Sequence, residues 1–266
     1  KLDPTNADLW DLLSNARVYK GDYKGAVDAL EQVVINDSTK ADSTFLMKIT
    51  VMAGQQPDTV RLLKWSKVGV AKYPDNIGLI GQLLTAYTLA GPLDSAVVVG
   101  KKLIAVDTTQ VPAALGLSQQ LVNAKRVKDA WPFLMYAYAH GDATAKENSA
   151  ALTLNGALPL IQTEPDTAVA MLRTAVSTAN TAGKVAPIAN YFLGILLLQR
   201  VPKIDPETEK QKSCDLANQE QALLTEAEKS LQAGQTYKPE DAAKYLKYVD
   251  GYKPRVASMI KAYCKP

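Results

Sequence analysis

The sequence predicts an all-α fold made of antiparallel helix pairs repeated in tandem. Apolar residues recur at helical spacing on both sides of short turns, the pattern returns at a nearly constant period, and prolines fall where helices should end. Aromatic residues make up only 7% of the 266 positions, and Val/Ile/Thr alternation over strand lengths is rare. This composition favours helices over strands.

The first helical hairpin shows the pattern most clearly. On either side of a glycine turn at residues 21–23, the apolar positions are Leu9, Leu12, Leu13 and Ala16 before it, and Ala26, Leu30, Val33 and Val34 after it. The pattern returns around turns at residues 91–92 and 125–127, with weaker copies around residues 46–62 and 152–175. One small or apolar residue of each second helix falls at position 26, 62, 96, 130 or 168, at spacings of 36, 34, 34 and 38 residues. A period in this range is typical of a helical solenoid.

The prolines support this arrangement, because a proline inside a helix removes a hydrogen bond and clashes with the preceding turn, at a cost of about 3 kcal/mol. Most of the 14 prolines lie at expected helix ends or first turns. Pro159 falls inside an expected helix. There we predict a kink that frees the carbonyl of Asn155, with an earlier helix end as the alternative.

These residues resemble the tetratricopeptide-repeat (TPR) family over about residues 2–200. The matching positions are Trp10, Leu13, Ser14, Gly21, Asp22, Tyr23, Ala26 and Leu30 in the first repeat, and Tyr87, Gly91, Ala96, Gly156 and Gly194 in later ones. The resemblance implies about five and a half repeats within residues 1–200, wound into a right-handed superhelical solenoid. Residues 2–7 read as the last turn of one helix, a proline stop and the asparagine start of the next, so we expect a fragment of a longer array.

After Arg200 the periodicity stops. We expect a polar connection at residues 201–212, a long helix from about Ser213 to Ala233, and two shorter helices that begin at Pro239 and Pro254 and are separated by Gly251. A solenoid needs an atypical terminal unit to cover its last apolar face. Residues 201–266 are therefore interpreted as a linker followed by a helical C-terminal cap.

Both cysteines, Cys214 and Cys264, lie inside this cap. A disulfide between them would close a loop of about fifty residues and stabilise the cap by about 4 kcal/mol in the chain-entropy description. It would also indicate an extracytoplasmic protein, periplasmic or secreted. The alternative is two free thiols in a cytoplasmic protein.

Several function classes are not expected. The net charge of +3 is small and scattered, which argues against nucleic acid as a partner, and no run of eighteen apolar residues predicts a transmembrane segment. The single histidine, His140, has no recognisable catalytic triad or pair around it, and two cysteines without nearby histidines fall short of a zinc site. No nucleotide-binding or metalloprotease motif is present. We expect no enzyme, no cofactor and no metal.

The expected function is that of a scaffold that binds another protein or an extended peptide. In TPR proteins the first helix of each repeat lines a concave groove, and the resemblance places there Asp11 and Asn15, Met47 and Val51, Gly81 and Thr85, Leu115 and Gln119, Thr153 and Ala157, and Tyr191 and Ile195. Beyond Asp11 this set is uncharged. Asn15 matches the asparagine of the family's carboxylate clamp, but Asp11 stands in place of a cation, so a clamp is not expected. Such a groove suits an extended peptide or a helix.

A second hypothesis concerns residues 237–266, which hold Tyr237, Tyr245, Tyr248, Tyr252 and Tyr263 and seven Lys or Arg against three acidic residues. This segment could be the contact surface of a structural subunit in a self-assembling or fixed envelope complex, which would make the protein a homo-oligomer. The alternative is a helical cap with buried tyrosine rings and solvated lysines.

Overall fold

The computed structural model describes residues 3–56, 58–203, 207 and 213–264, and within these ranges it contains helices and no strand. The α-helices are α1 (Ala7–Tyr19), α2 (Tyr23–Asn36), α3 (Ser43–Gln55), α4 (Thr59–Lys72), α5 (Ile77–Ala90), α6 (Leu93–Val106), α7 (Val111–Asn123), α8 (Val127–His140), α9 (Ala143–Ala157), α10 (Pro165–Thr178), α11 (Val185–Leu198), α12 (Cys214–Gly234) and α13 (Pro239–Tyr263). The prediction of an all-α fold of tandem helices is confirmed. Leu2 and most of the expected connection at residues 201–212 lie outside the described residues.

The chain forms two compact units, which are called here the N-terminal unit (Lys1–Leu121) and the C-terminal unit (Val122–Pro266). The N-terminal unit contains α1 to α6 and most of α7, and the C-terminal unit contains α8 to α13. This division does not test the boundary between repeats and cap that we expect near residue 200, which stays a prediction.

The five positions that define the repeat period all lie in second helices of hairpins and are 0–1% exposed: Ala26, Leu62, Ala96, Ala130 and Ala168. In the N-terminal unit, consecutive helices from α1 to α6 contact one another, and α3 also contacts α5. The buried side chains of Leu30, Leu46 and Leu62 belong to one apolar core there. The period seen in the sequence is therefore the period of core packing.

Most hairpins begin their helices with an acidic or amide N-cap. The side chains of Asn6, Asp22, Asp42, Asp58 and Asn76 each accept a hydrogen bond from a backbone N–H in the first turn of the helix that follows. Each cap of this kind stabilises its helix by about 1 kcal/mol. These residues fix where α1 to α5 begin.

The C-terminal unit is built around α11, which contacts α9, α10, α12 and α13. The stretch Val185–Lys203 is long and apolar enough to cross a membrane, and more than half of it is buried inside the protein. This stretch does not stand out as an uninterrupted apolar run in the sequence, because polar residues such as Asn190 and Gln199 interrupt it. Since core helices of globular proteins can be equally long and apolar, and α11 packs against four other helices, we interpret it as the core helix of this unit.

Two expectations about prolines were wrong. α9 ends at Ala157, and Pro159 lies in a short 3-10 turn, Leu158–Leu160, so the helix ends sooner instead of kinking. α13 runs from Pro239 to Tyr263 as one helix with Pro254 inside it, so the two expected short helices do not form. The buried residues Val249 and Val256 lie on either side of Pro254 and continue one apolar face, whose packing outweighs the lost hydrogen bond.

The predicted disulfide between Cys214 and Cys264 is present, with the two sulfur atoms 1.99 Å apart. Cys214 is the first residue of α12 and Cys264 directly follows α13. The bond therefore joins the beginning of one cap helix to the end of the other.

α12 also buries a carboxyl group. Glu220 is fully buried, and neither of its carboxylate oxygens has a hydrogen-bond partner in the part of the chain that the structure describes. Burial raises the pKa of Glu220 above its ordinary value, and the nearby Glu207 carboxylate raises it further. Glu220 therefore holds its proton to a higher pH than an exposed glutamate does.

We expect Glu220→Gln to reduce the pH dependence of stability. A carboxyl whose pKa is higher in the folded than in the unfolded state stabilises the fold below its unfolded pKa, about 4.3 for glutamate, and loses this contribution as the pH rises through the folded pKa. The free energy of unfolding of the variant should therefore increase relative to that of the wild type as the pH rises. Urea midpoints of both proteins over a series of pH values measure the difference, and parallel pH profiles would contradict the prediction.

Candidate partner-binding face

The candidate site lies on the first helices of the N-terminal hairpins. A cavity of about 420 Å³ opens between α3 and the beginning of α5. It is lined by Ser43, Thr44, Met47, Lys48, Val51, Met52 and Asn76. We call this cavity the α3–α5 groove.

The walls of the groove follow from local helix geometry. Met47 and Val51 are four residues apart on α3, so their side chains share one face of that helix. On α5, Gly78 allows close packing, because a Cβ atom at this position would lie 3.2 Å from Cε of Met47. The thioether of Met47 thus rests against the backbone of α5, and Asn76 caps α5 by accepting a hydrogen bond from the N–H of Leu79 at 3.1 Å.

A second cavity, of about 410 Å³, adjoins it and is lined by residues of α1, α2, α3 and the segment before α3. Two ion pairs cross it: Lys48 Nζ lies 2.7 Å from Oδ1 of Asp11, and Lys40 Nζ bonds Oδ1 of Asp8. The hydrogen bond with Asp8 raises the pKa of Lys40 above its ordinary value. Each lysine at this face is therefore matched by an aspartate.

This arrangement corrects one expectation. Beyond Asp11 the groove was expected to carry no charge, but Lys48 lines both cavities. The TPR resemblance places two positions of each first helix in the groove, and the position that follows Met47 is not one of them. A lysine four residues after Thr44 and three before Val51 lies on the same side of α3, which is the signal that could have placed it there.

Met47 and Val51, both predicted, line the groove together. In the same unit, Asn15 on α1 and Thr85 on α5 are exposed, and on α7 Leu115 is half-buried and Gln119 is exposed. Residues that sequence reasoning missed are Ser43, Thr44, Lys48, Met52 and Asn76.

The predicted residues of the C-terminal unit are less accessible. Thr153 is 2% exposed and its hydroxyl donates to the carbonyl of Ser149 at 2.8 Å. Tyr191 is 5% exposed, and its ring lies 5.6 Å from that of Tyr237. Ile195 is half-buried against the core. The side chains of Thr153 and Tyr191 therefore offer a partner almost no surface.

His140 lies exposed at the end of α8, with its ring 4.7 Å from the ring of Tyr136. Within the described ranges, no three or more His, Cys, Asp or Glu side chains come together in a group that could hold a metal ion.

Three solved structures to which this chain is similar are described as TPR proteins. One, from Parabacteroides merdae, is 14% identical, with a TM-score of 0.48 over 91% of this chain and 98% of that chain. The C-terminal part of a TPR repeat-containing protein from Cytophaga hutchinsonii is 12% identical, with a TM-score of 0.49 over 90% of this chain and 87% of that chain. A TPR repeats protein from Bacteroides fragilis is 15% identical, with a TM-score of 0.43 over 96% of this chain and 100% of that chain.

No protein-family model matches the sequence, and no curated protein matches it. The fold description therefore rests on the tandem hairpins of this chain itself.

Proposed function

We propose that this protein is a non-catalytic scaffold that binds another protein through the α3–α5 groove. The observation that carries the proposal is an open, largely apolar cavity on the first helices of the tandem hairpins, lined by Met47, Val51 and Met52. Stacked helical repeats present extended surfaces of this kind to partners. Methionine side chains adapt to irregular apolar surfaces and suit a groove that accepts a side chain from outside.

The charges at this face argue for an uncharged segment of the partner. Lys48 is already paired with Asp11, so an incoming carboxylate would have to displace Asp11 before it could bind the lysine. We therefore propose an uncharged segment of the partner, and not a terminal carboxylate, as the occupant of the groove.

An extracytoplasmic location, periplasmic or secreted, is part of the proposal. The disulfide between Cys214 and Cys264 supports it, because such bonds persist mainly in oxidising compartments. The competing hypothesis of self-assembly through the cap has less support, since Tyr245, Tyr252 and Tyr263 pack against the core of the C-terminal unit. Tyr248, which is 52% exposed, is one of the tyrosines left for such a contact.

Selection of random 12-residue peptides displayed on phage tests the proposed function. The whole chain is the bait, and enriched peptides are synthesised and titrated against the wild type, Met47→Glu and Val51→Glu. We expect both substitutions to weaken binding at least roughly a hundredfold, because each places a charge in an apolar groove at a cost of several kcal/mol.

Val98→Glu is the matched control, since Val98 is 69% exposed on α6 and does not line the groove. It should bind as the wild type does. Circular dichroism of each variant checks that the helices remain folded. Unchanged affinity in both groove variants, or no enriched peptide at all, would contradict the proposed site.

A further inference from the structure

A cavity of about 320 Å³ lies between α8 and α10 of the C-terminal unit. It is lined by Val127, Lys128 and Trp131 of α8 and by Thr167, Ala170 and Met171 of α10. Both helices pack against α9 and are second helices of their hairpins. The cavity, called here the α8–α10 cavity, therefore lies on second helices and shares no residue with the α3–α5 groove.

The deep side of the cavity rests on a glycine of α9. A Cβ atom on Gly156 would lie 3.0 Å from Cγ1 of Val127 and 3.1 Å from Cε of Met171. Val127 is 8% exposed and Met171 is 3% exposed, so both side chains lie deep between the helices. Trp131 follows Val127 by one helical turn, and Thr167 precedes Met171 by one turn, so the lining residues of each helix share one face. The cavity is therefore built by the faces of three packed helices.

Both polar residues of the lining are already engaged. Nζ of Lys128 lies 3.2 Å from Oε2 of Glu164, and the hydroxyl of Thr167 donates to the same oxygen at 3.1 Å. The contact with Lys128 first, and then that with Thr167, holds the pKa of Glu164 below its ordinary value, so this carboxylate stays ionised at neutral pH and keeps both partners. A charged ligand would give up its hydrogen bonds to water and find no free polar side chain in the lining, so an uncharged, apolar ligand is favoured. The remaining lining residues are apolar: Val127, Trp131, Ala170 and Met171.

Trp131 and Met171 favour an aromatic ligand over an aliphatic one. Trp131 is half-buried and lines the cavity with part of its ring. Aromatic rings attract one another in offset or edge-to-face arrangements, beyond the effect of the area that they bury. The thioether sulfur of a methionine such as Met171 also makes favourable contacts with the edges of aromatic rings. The two residues together therefore select for a ring.

The volume of the cavity indicates a ligand of two rings. A dry, apolar cavity of about 150 Å³ holds one benzene molecule, and the α8–α10 cavity has about twice that volume. A tryptophan side chain of a partner protein would also have two rings, but it would bring backbone N–H and C=O groups that need partners of their own. Since Lys128 and Thr167 are both engaged with Glu164, a free molecule fits this lining better.

We propose that the α8–α10 cavity binds a free, uncharged, two-ring aromatic molecule that stacks against the indole ring of Trp131 and contacts the thioether of Met171. This site goes beyond the proposed function, because it gives the protein a small-molecule ligand in addition to the protein partner of the α3–α5 groove. It does not rest on that function, since the two sites have no residue in common.

Isothermal titration calorimetry of indole into the whole chain tests this inference. For the wild type we expect a dissociation constant on the order of 0.1 mM, which is within the range open to a ligand of this size. Ala170→Leu should weaken binding at least roughly tenfold, because the longer side chain occupies the cavity. Trp131→Leu should weaken it roughly tenfold, because the wall stays apolar but the ring that stacks against the ligand is lost.

Ala243→Leu is the matched control for Ala170→Leu. Ala243 is also exposed on a helix, in this case α13, and it does not line the cavity. The variant should bind indole as the wild type does. Circular dichroism of each variant checks that the helices remain folded.

Each part of the inference has an outcome that would overturn it. If the wild type gives no saturable heat with indole, or if Ala170→Leu binds indole as the wild type does, the cavity is not the site. If Trp131→Leu alone keeps the full affinity, the stacking on Trp131 is wrong. Equal affinity for an indole carboxylate would contradict an uncharged ligand. Tighter binding of N-acetyltryptophanamide than of indole would assign the cavity to a tryptophan side chain of a partner protein and overturn the free molecule.

Discussion

Replacing both Cys214 and Cys264 with serine is expected to lower the free energy of unfolding of the C-terminal unit by about 4 kcal/mol. The two residues are 50 positions apart, and the bond removes much of the freedom of the intervening loop in the unfolded chain. Because the bond joins the beginning of α12 to the end of α13, its loss should first separate α13 from α11 and α12.

Urea unfolding of the wild type and the double-serine variant, each with and without reductant, measures this effect. The reductant should shift the wild type to the midpoint of the variant and leave the variant unchanged. A wild type whose midpoint does not respond to reductant, although mass spectrometry shows that the bond has been broken, would contradict the prediction.

Gly234→Ala is expected to cost about 3 kcal/mol, at the upper end of ordinary overpacking. A Cβ atom on Gly234, the last residue of α12, would lie 2.7 Å from both N and Cα of Tyr191 on α11. This clash can be relieved only if the backbones of α11 and α12 separate, because the contacted atoms belong to the backbone and not to a flexible side chain. Denaturant unfolding measures the loss.

Gly251→Ala on α13 is the control for Gly234→Ala. With open space around its Cβ position among the described residues, it should gain up to about 1 kcal/mol from helix propensity. If the two alanine variants are equally stable, the close approach of α11 and α12 at Gly234 is wrong.

The hairpin architecture could be predicted because the same residues that set the period form the core. Ala26, Leu62 and Ala96 recur at this period and are buried, so the core positions of the hairpins can be recognised from the sequence. The helices of the cap have no such period and could be predicted less well. Pro254 resembles a helix start when only local backbone preferences are considered, and it is tolerated inside α13 because the apolar face continues through Val249 and Val256.

The candidate site could be predicted only in part. Met47 and Val51 followed from the repeat register, and both line the α3–α5 groove; their role in binding stays a prediction. The same register gave Tyr191, which is buried against Tyr237 and α12, because the cap covers the helix that carries it. Contacts of this kind depend on how distant segments pack, and the period contains no information about them. The pairing of Lys48 with Asp11 is a contact of the same type.

The two aspartate–lysine pairs at the face of α1 and α3 have a consequence for the kinetics of recognition. Because Asp8 neutralises Lys40 and Asp11 neutralises Lys48, these four side chains create little long-range field. These four side chains therefore do not steer a partner electrostatically, and for an uncharged partner segment at this face we expect an association rate constant on the order of 10⁵–10⁶ M⁻¹ s⁻¹ that depends little on ionic strength. Competing partners would therefore differ mainly in how long each remains bound.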